Sequence, residues 1–378
     1  MKISVLTGEI SGDNYGALLV KEIKKIDSSV SIFGVGGEKL KEEGVEIIEK
    51  IPLGEIGWFS IIKKIIPFFI SYKKVLKKIE EKKPDIIVFI DNPGFNLKLA
   101  KSLGKKFTCY YYIPPKIWAH NYGRVKIMKK YLKGVIAIFP FERKIYEEEG
   151  IPCFYFGHPI VDIIDFNPDK EKFLKSCNLK ENIPIIGILP GSRKEEVLYL
   201  MPEFLKIVEG LNSKKEIQVV FSAVNEEIKK IEEKIMEKFH IQLPILTENV
   251  YSLIKYSTCI LSASGTANLE ISLFKKPFLV FYKTSFLNYI IAKFVVKLNA
   301  VSPVNILFGE KIIPEYLQKF SKGEVIEKII ELLNKGPLYK KEIESFDKLD
   351  KIFSERNVTE KVAQLLLNVK TNKTNGSE

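Results

Sequence analysis

The 378-residue sequence predicts an α/β fold of two Rossmann-like domains facing across a cleft. Three observations point there. Short β-branched runs bounded by turn residues alternate with longer stretches of helical spacing, the rhythm of repeated βαβ units. The runs are apolar on both faces, as strands in a parallel sheet covered by helices must be. The rhythm lapses once, in a polar stretch over about residues 165–182, and then restarts, which divides the chain into two such units.

In the first domain, 1–164, the strands are ISVL (3–6), VSIFGV (30–35), DIIVFI (85–90), FTCYYYI (107–113) and VIAIF (135–139), each leading into a helix-like stretch. After Gly157-His158-Pro159 comes the linker, with Asn167-Pro168-Asp169 and Asn178 as turn formers. The second domain, 165–340, carries IPIIGIL (183–189), IQVVFSA (217–223), STCILSA (257–263) and PFLVFY (277–282). Residues 341–370 are Lys/Glu-rich with helical spacing and are expected as helices that can cross back to the first domain; 371–378 read as a frayed tail. Each domain opens with a strand running into a Gly-containing loop, 8–13 and 190–193, and ligands are expected at the carboxyl ends of these strands.

Lys+Arg 59 against Asp+Glu 47 gives a net charge of +12, which favours nucleic acid, phosphorylated substrates or acidic lipid headgroups. The lysines are spread over helices and no aromatic-plus-basic module appears, so nucleic acid is set aside. Cys109, Cys153, Cys177 and Cys259 form no short pair and only three histidines occur, so neither a disulfide nor a metal framework is expected. The N-terminus enters a strand at once, without the apolar core of a signal peptide. Residues 56–72 approach a membrane span, but Lys63, Lys64 and Pro67 interrupt them. A cytoplasmic protein without a transmembrane helix is the expectation.

Two apolar segments stand apart. Over 58–79 the polar positions Ser60, Lys63, Lys64, Pro67, Ser71, Lys74 and Lys78 fall three or four apart, leaving one polar stripe on an apolar helix, or on a helix pair broken at Pro67. Such a helix is either buried on two sides or dips into a bilayer. Residues 285–298 pose the same alternatives, with core favoured.

The chemistry-bearing loops follow strands. Ser264-Gly265-Thr266-Ala267-Asn268-Leu269-Glu270 leaves STCIL and opens a helix, where small residues and first-turn N–H groups suit a phosphate. Thr266 and Glu270 share a helical face, so one nucleotide could meet both; an ordinary N-cap is the plain alternative. In Pro190-Gly191-Ser192-Arg193 the arginine could clamp a diphosphate. Asp91 ends the apolar strand DIIVFI, ahead of Asn92-Pro93-Gly94-Phe95-Asn96, placed to take a proton from a hydroxyl. Glu9 and Asp13 are further carboxylates at the edge of the first strand, and Asp13 could instead cap a helix. There is no phosphate-binding P-loop, no H-E-x-x-H and no G-x-S-x-G elbow, and the Gly34-Val35-Gly36-Gly37 cluster lacks the third glycine of a dinucleotide fingerprint.

In order, GEISGD (8–13), GVGGEKL (34–40), IDNPGFN (90–96), YYIPPKIWA (111–119), FPFERKIYEEEGIP (139–152), GHPIVD (157–162), LPGSRKEE (189–196), SGTANLE (264–270) and PVNILFGEKIIPEYLQ (303–318) resemble the lipid-A-disaccharide synthase family over nearly the whole chain. The resemblance implies a GT-B, inverting, metal-independent glycosyltransferase that joins UDP-2,3-diacylglucosamine to 2,3-diacylglucosamine 1-phosphate in a β-1,6 linkage and releases UDP. It implies Asp91 as the base, with Glu9 and Asp13 as rivals; Ser192, Arg193, Ser264, Gly265, Thr266, Asn268, Glu270, Asn305, Glu315 and Gln318 at the UDP; and Ser11, Gly12 and Asn96 near the sugars. No cofactor is implied. Because both substrates are acylated, the resemblance turns the first apolar helix into a lipid and membrane surface built on Trp58, Phe59, Ile62, Ile65, Ile66, Phe68 and Phe69. The partners implied are the acylated glucosamines and the anionic inner face of the inner membrane, where the protein would be peripheral, with a homodimer open. The family usually has an acidic residue where Gly94 stands, a serine within the Pro114-Pro115 segment and often a tryptophan at His120. Another UDP-sugar enzyme, an undecaprenyl-linked N-acetylglucosaminyltransferase or a UDP-N-acetylglucosamine 2-epimerase, is the rival within the fold.

Overall fold

A computed structural model describes residues 1–8, 10–50, 61–118, 122–285 and 300–369; side chains are described at all of these except 10 and 61–67. The chain forms two compact units. The first is Met1–Ile163 together with the chain from Ile352, and the second is Ile164–Lys351. The boundary expected at 340/341 thus lies at 351/352.

The first unit carries a seven-stranded, wholly parallel sheet: β1 (Lys2–Leu6), β2 (Ser31–Val35), β3 (Glu46–Glu49), β4 (Ile86–Ile90), β5 (Thr108–Tyr112), β6 (Gly134–Ala137) and β7 (Cys153–Tyr155), in the order β3-β2-β1-β4-β5-β6-β7. Every residue of β4 is buried, as both faces are covered. The helices are α1 (Ile10–Ile26), α2 (Glu38–Glu42), α3 (Ile61–Lys82), α4 (Pro93–Leu103), α5 (Arg124–Tyr131) and α6 (Pro140–Glu148), then a 3-10 turn at Pro159–Asp162. Val75 and Ile79 of α3 join Phe95, Leu99 and Leu103 of α4 in the core over β1 and β4. Helix α3 runs through Pro67 without a break: the ring removes one backbone donor, and packing of the helix's later turns on the sheet holds the course.

The second unit repeats the plan with β8 (Ile185–Leu189), β9 (Gln218–Ser222), β10 (Ile245–Leu246), β11 (Cys259–Ala263), β12 (Phe278–Tyr282) and β13 (Glu315–Leu317), all parallel, in the order β10-β9-β8-β11-β12-β13. Its helices are α7 (Lys170–Ser176), α8 (Lys194–Asn212), α9 (Glu226–Lys238), α10 (Val250–Tyr256), α11 (Ala267–Leu273), α12 (Pro303–Phe308), α13 (Lys322–Leu333) and α14 (Pro337–Ile352). Val197, Leu200, Met201, Phe204, Leu205 and Val208 recur at helical spacing on α8 and pack on the sheet, with Phe204 edge-on to Phe281 at 5.0 Å. The last described helix, α15 (Val358–Asn368), returns to the first unit and packs on α1.

Candidate functional site

In the first unit the strand order reverses between β1 and β4, so the loops leaving them stand side by side at the carboxyl edge of the sheet. The loops touch: a β-carbon on Gly8 would fall 1.8 Å from Nδ2 of Asn92, so any larger residue there would displace the Asn92 side chain. Asp91 and Asn92 hold left-handed φ angles of 50° and 43°, a region Asp and Asn tolerate better than most residues. Pro93 starts α4 directly behind them. Two strained residues in a row persist because their surroundings over-determine them. The carbonyl of Asp91 accepts from Nδ2 of Asn96 at 2.8 Å and from the Tyr111 hydroxyl at 2.6 Å. The same Nδ2 lies 3.3 Å from the Leu6 carbonyl and 3.2 Å from that of Ile90, so Asn96 ties the ends of β1 and β4 together.

Asn96 is fully buried, and it builds this loop instead of facing a sugar. Gly12 is also buried: a β-carbon there would stand 3.7 Å from that of Asp91, so the first turn of α1 passes beside the Asp91 loop. Ser11, one residue earlier, is half-buried. Asp13 accepts from the Gly37 N–H at 2.6 Å through Oδ1 and from the Lys39 N–H at 3.0 Å through Oδ2. With both oxygens engaged at the start of α2, Asp13 serves as a cap and not as a proton acceptor. Glu9 lies outside the described residues. Gly94 opens α4 with clear space where a side chain would stand.

The loop after β5 is fixed by α6. The Tyr146 hydroxyl donates to the Pro115 carbonyl at 2.6 Å and the Trp118 indole to Glu142 at 3.1 Å. The other oxygen of Glu142 accepts from the N–H groups of Ile138 and Phe139, and burial raises its pKa. His120 lies outside the described residues. So do Trp58, Phe59 and most of segment 285–298, while Ile62, Ile65 and Ile66 lie on α3 with side chains not described. Phe68 packs edge-on to Phe95 at 5.4 Å. Phe69 and Ile70 face outward, 48% and 49% exposed, and Nζ of Lys98 lies 4.6 and 5.1 Å from the Phe68 and Phe69 rings.

In the second unit the order reverses between β8 and β11, and here too the expected loops leave the two switch strands. Oε2 of Glu196 accepts from the N–H groups of Ser192 at 3.1 Å and Arg193 at 3.3 Å. Its Oε1 accepts from Nη1 of Arg193 at 3.1 Å, and Arg193 is 46% exposed. An exposed pair of this kind rearranges at little cost. After β11, Thr266 is exposed and Gly265 has open space over it, whereas Ser264 donates to the Val301 carbonyl at 2.8 Å. Asn268 is fully buried and donates to Ser262 and to the Ala263 carbonyl, each at 3.0 Å. Glu270, on the same helix, accepts from the Tyr251 hydroxyl at 3.3 Å, and burial pushes its pKa up to about 7.

The last motif folds on itself. Asn305, buried, donates to the Ile313 carbonyl at 2.8 Å and to Glu315 at 2.9 Å while accepting from the N–H groups of Ile312 and Ile313. Glu315 accepts from the N–H groups of Val301 and Ser302, and Gln318 from that of Thr284. Asn305, Glu315, Gln318 and Asn268 therefore brace the loops, leaving Ser192, Arg193, Gly265, Thr266 and Glu270 as the groups that can meet a ligand. Sequence reading missed Glu196, although its place three residues after Arg193 is capping-box spacing. It also missed Tyr251, which nothing local connects to Glu270.

The family described as "Lipid-A-disaccharide synthetase" matches residues 3–368. A lipid-A-disaccharide synthase of Wigglesworthia glossinidia brevipalpis is 34% identical over 360 residues, 92% of each chain. One of Persephonella marina is 32% identical over 376 residues, 97% of this chain and 98% of that one. Among solved structures, a UDP-GlcNAc 2-epimerase of Neisseria meningitidis bound to UDP-GlcNAc superposes with a TM-score of 0.64 at 14% identity, covering 97% of this chain and 100% of that one. MurG of Acinetobacter baumannii gives 0.58 at 10% identity, covering 97% and 99%. These structures share the GT-B arrangement of two Rossmann-like domains.

Proposed function

The chain belongs to the lipid-A-disaccharide synthase family, hexosyltransferases of lipid A biosynthesis, and from that premise we propose that it condenses UDP-2,3-diacylglucosamine with 2,3-diacylglucosamine 1-phosphate. The products are the β-1,6 disaccharide 1-phosphate and UDP, with inversion at the donor's anomeric carbon. Asp91 takes the proton of the acceptor 6-hydroxyl as its oxygen attacks. Arg193 and the first-turn N–H groups beyond Gly265 face the departing diphosphate, and Glu270 accepts from the ribose. No metal is required, since these groups carry the leaving-group charge. The protein works at the anionic inner face of the membrane, where both lipids reside, and a homodimer is compatible with this reading.

The observation that supports it is the family match across both switch points, with Asp91 at one and Arg193 at the other. The test is UDP release from purified protein given the two lipid substrates. Asp91→Asn keeps a residue that tolerates left-handed φ, so the loop is retained while kcat falls about 10² to 10⁴-fold. Arg193→Ala lowers turnover with the fold intact. Full activity in Asp91→Asn removes Asp91 as the base. Interconversion of the UDP-sugar without acceptor, or UDP release with an undecaprenyl acceptor alone, overturns the assignment.

A further inference from the structure

We propose that Arg124 binds the phosphomonoester of the acceptor glycolipid beside the Asp91 loop, a step that rests on the acceptor reading above. The sequence holds only four arginines among its 59 basic residues. The other three have acceptors: Arg143 pairs with Glu147, Arg193 with Glu196, and Arg356 donates to the Phe353 carbonyl. Arg124 has none among the described residues. It opens α5 half-buried, and its Nη1 is shut off from solvent without a hydrogen-bond partner.

Among the described residues, none compensates its charge. The groups that act on it are the Tyr111 and Tyr146 hydroxyls, both neutral and both already donating to the backbone, Tyr111 to Asp91 and Tyr146 to Pro115, each at 2.6 Å. Those two bonds fix the tyrosines, and with them the wall along which the guanidinium lies. A half-buried cation with unused donors is costly unless an anion completes it, and phosphate oxygens match the guanidinium fork. Tyr111 also links this site to the proposed base, because its hydroxyl donates to the Asp91 carbonyl while the charges of Asp91 and Arg124 both act on that hydroxyl. The donor's diphosphate is assigned to loops of the second unit. The phosphomonoester of the acceptor is the anion left for the first.

The experiment uses the full chain in neutral-detergent micelles, with diacylglucosamine acceptors carrying or lacking the 1-phosphate. Wild type prefers the phosphorylated acceptor by about ten- to hundredfold in kcat/KM, the range expected of a charge-assisted hydrogen bond. Arg124→Gln abolishes that preference and leaves the donor KM where it was. Arg124→Lys, which keeps the charge without the fork, retains part of it and guards against misreading a folding defect. A preference unchanged in Arg124→Gln, with or without lower kcat, overturns the proposal by making the residue structural. Loss of binding to anionic vesicles with the preference intact overturns it in favour of a membrane headgroup. No turnover by wild type with either acceptor overturns the parent reading, a result separate from a change of preference.

Discussion

Burial sets the range in which Glu270, proposed above to accept from the ribose, can work. Burial pushes its carboxyl up to about 7 from the ordinary 4.5, against the lowering effect of the Tyr251 hydroxyl that donates to it. A carboxylate accepts two ribose hydroxyls only when ionised, so affinity for the donor should rise as pH is raised through neutrality. The sugar nucleotide's diphosphate is charged throughout that range, which leaves Glu270 as the titrating partner. Measuring donor KM against pH should give an inflection near 7 that Glu270→Gln removes; an identical profile in the variant assigns the titration elsewhere. The stability sign is opposite. Because the folded state holds the proton more tightly than the unfolded chain, this group's favourable contribution is complete below pH 4.5 and is lost as pH rises through about 7. The places of Asp91, Arg193 and Thr266 in loops at the carboxyl ends of strands were legible in the sequence because each follows an apolar strand at a turn. Asn268, Asn305 and Glu315 were legible as motif members but not as braces, since most of their partners are backbone groups that only the folded loops bring near.

At the scale of elements, the strands named from sequence are the inner ones. The four that escaped, β3, β7, β10 and β13, are the edges of the two sheets, between two and four residues long and partly exposed. An edge strand needs neither length nor apolar side chains on both faces, so it leaves little pattern to read. The motif GHPIVD had an equally hidden purpose. Gly157, at φ +110°, passes so close to the start of α15 that a β-carbon would fall 2.7 Å from that of Glu355. His158 is buried among Tyr15, Phe139 and Phe353, and that burial pushes its pKa down to about 3, keeping the ring neutral. Oδ2 of Asp162 accepts from both the N–H and the hydroxyl of Thr359, at 2.8 and 2.9 Å. The motif is thus a latch for the last helix. Thr359→Val deletes the hydroxyl bond alone and should cost about 1–2 kcal/mol. Amide exchange should then accelerate across Val358–Asn368 and hardly at all in the second unit. Protection unchanged in α15 would mean that packing on α1 holds it without the latch.

Across the whole molecule, the membrane attachment proposed above would draw on the net charge of +12 and on the outward apolar residues of α3. No helix among the described residues is long and apolar enough to cross a membrane. Phe69 and Ile70 are about half exposed, and Lys98 sits beside the Phe69 ring, which places an apolar pair next to a cation on one patch. Basic residues near an anionic bilayer contribute about 1 kcal/mol each, and that attraction fades once salt shortens the screening length below the separation. Burial of an apolar side chain contributes about 1.5–3 kcal/mol and is far less sensitive to salt. The two parts can therefore be separated. Partition onto phosphatidylglycerol-containing vesicles should weaken with salt to a residual level, and the Phe69→Ser, Ile70→Ser double variant should lose that residual part while retaining the salt-sensitive part. Equal binding by variant and wild type at high salt, with equal thermal stability, would show that this patch does not meet the membrane.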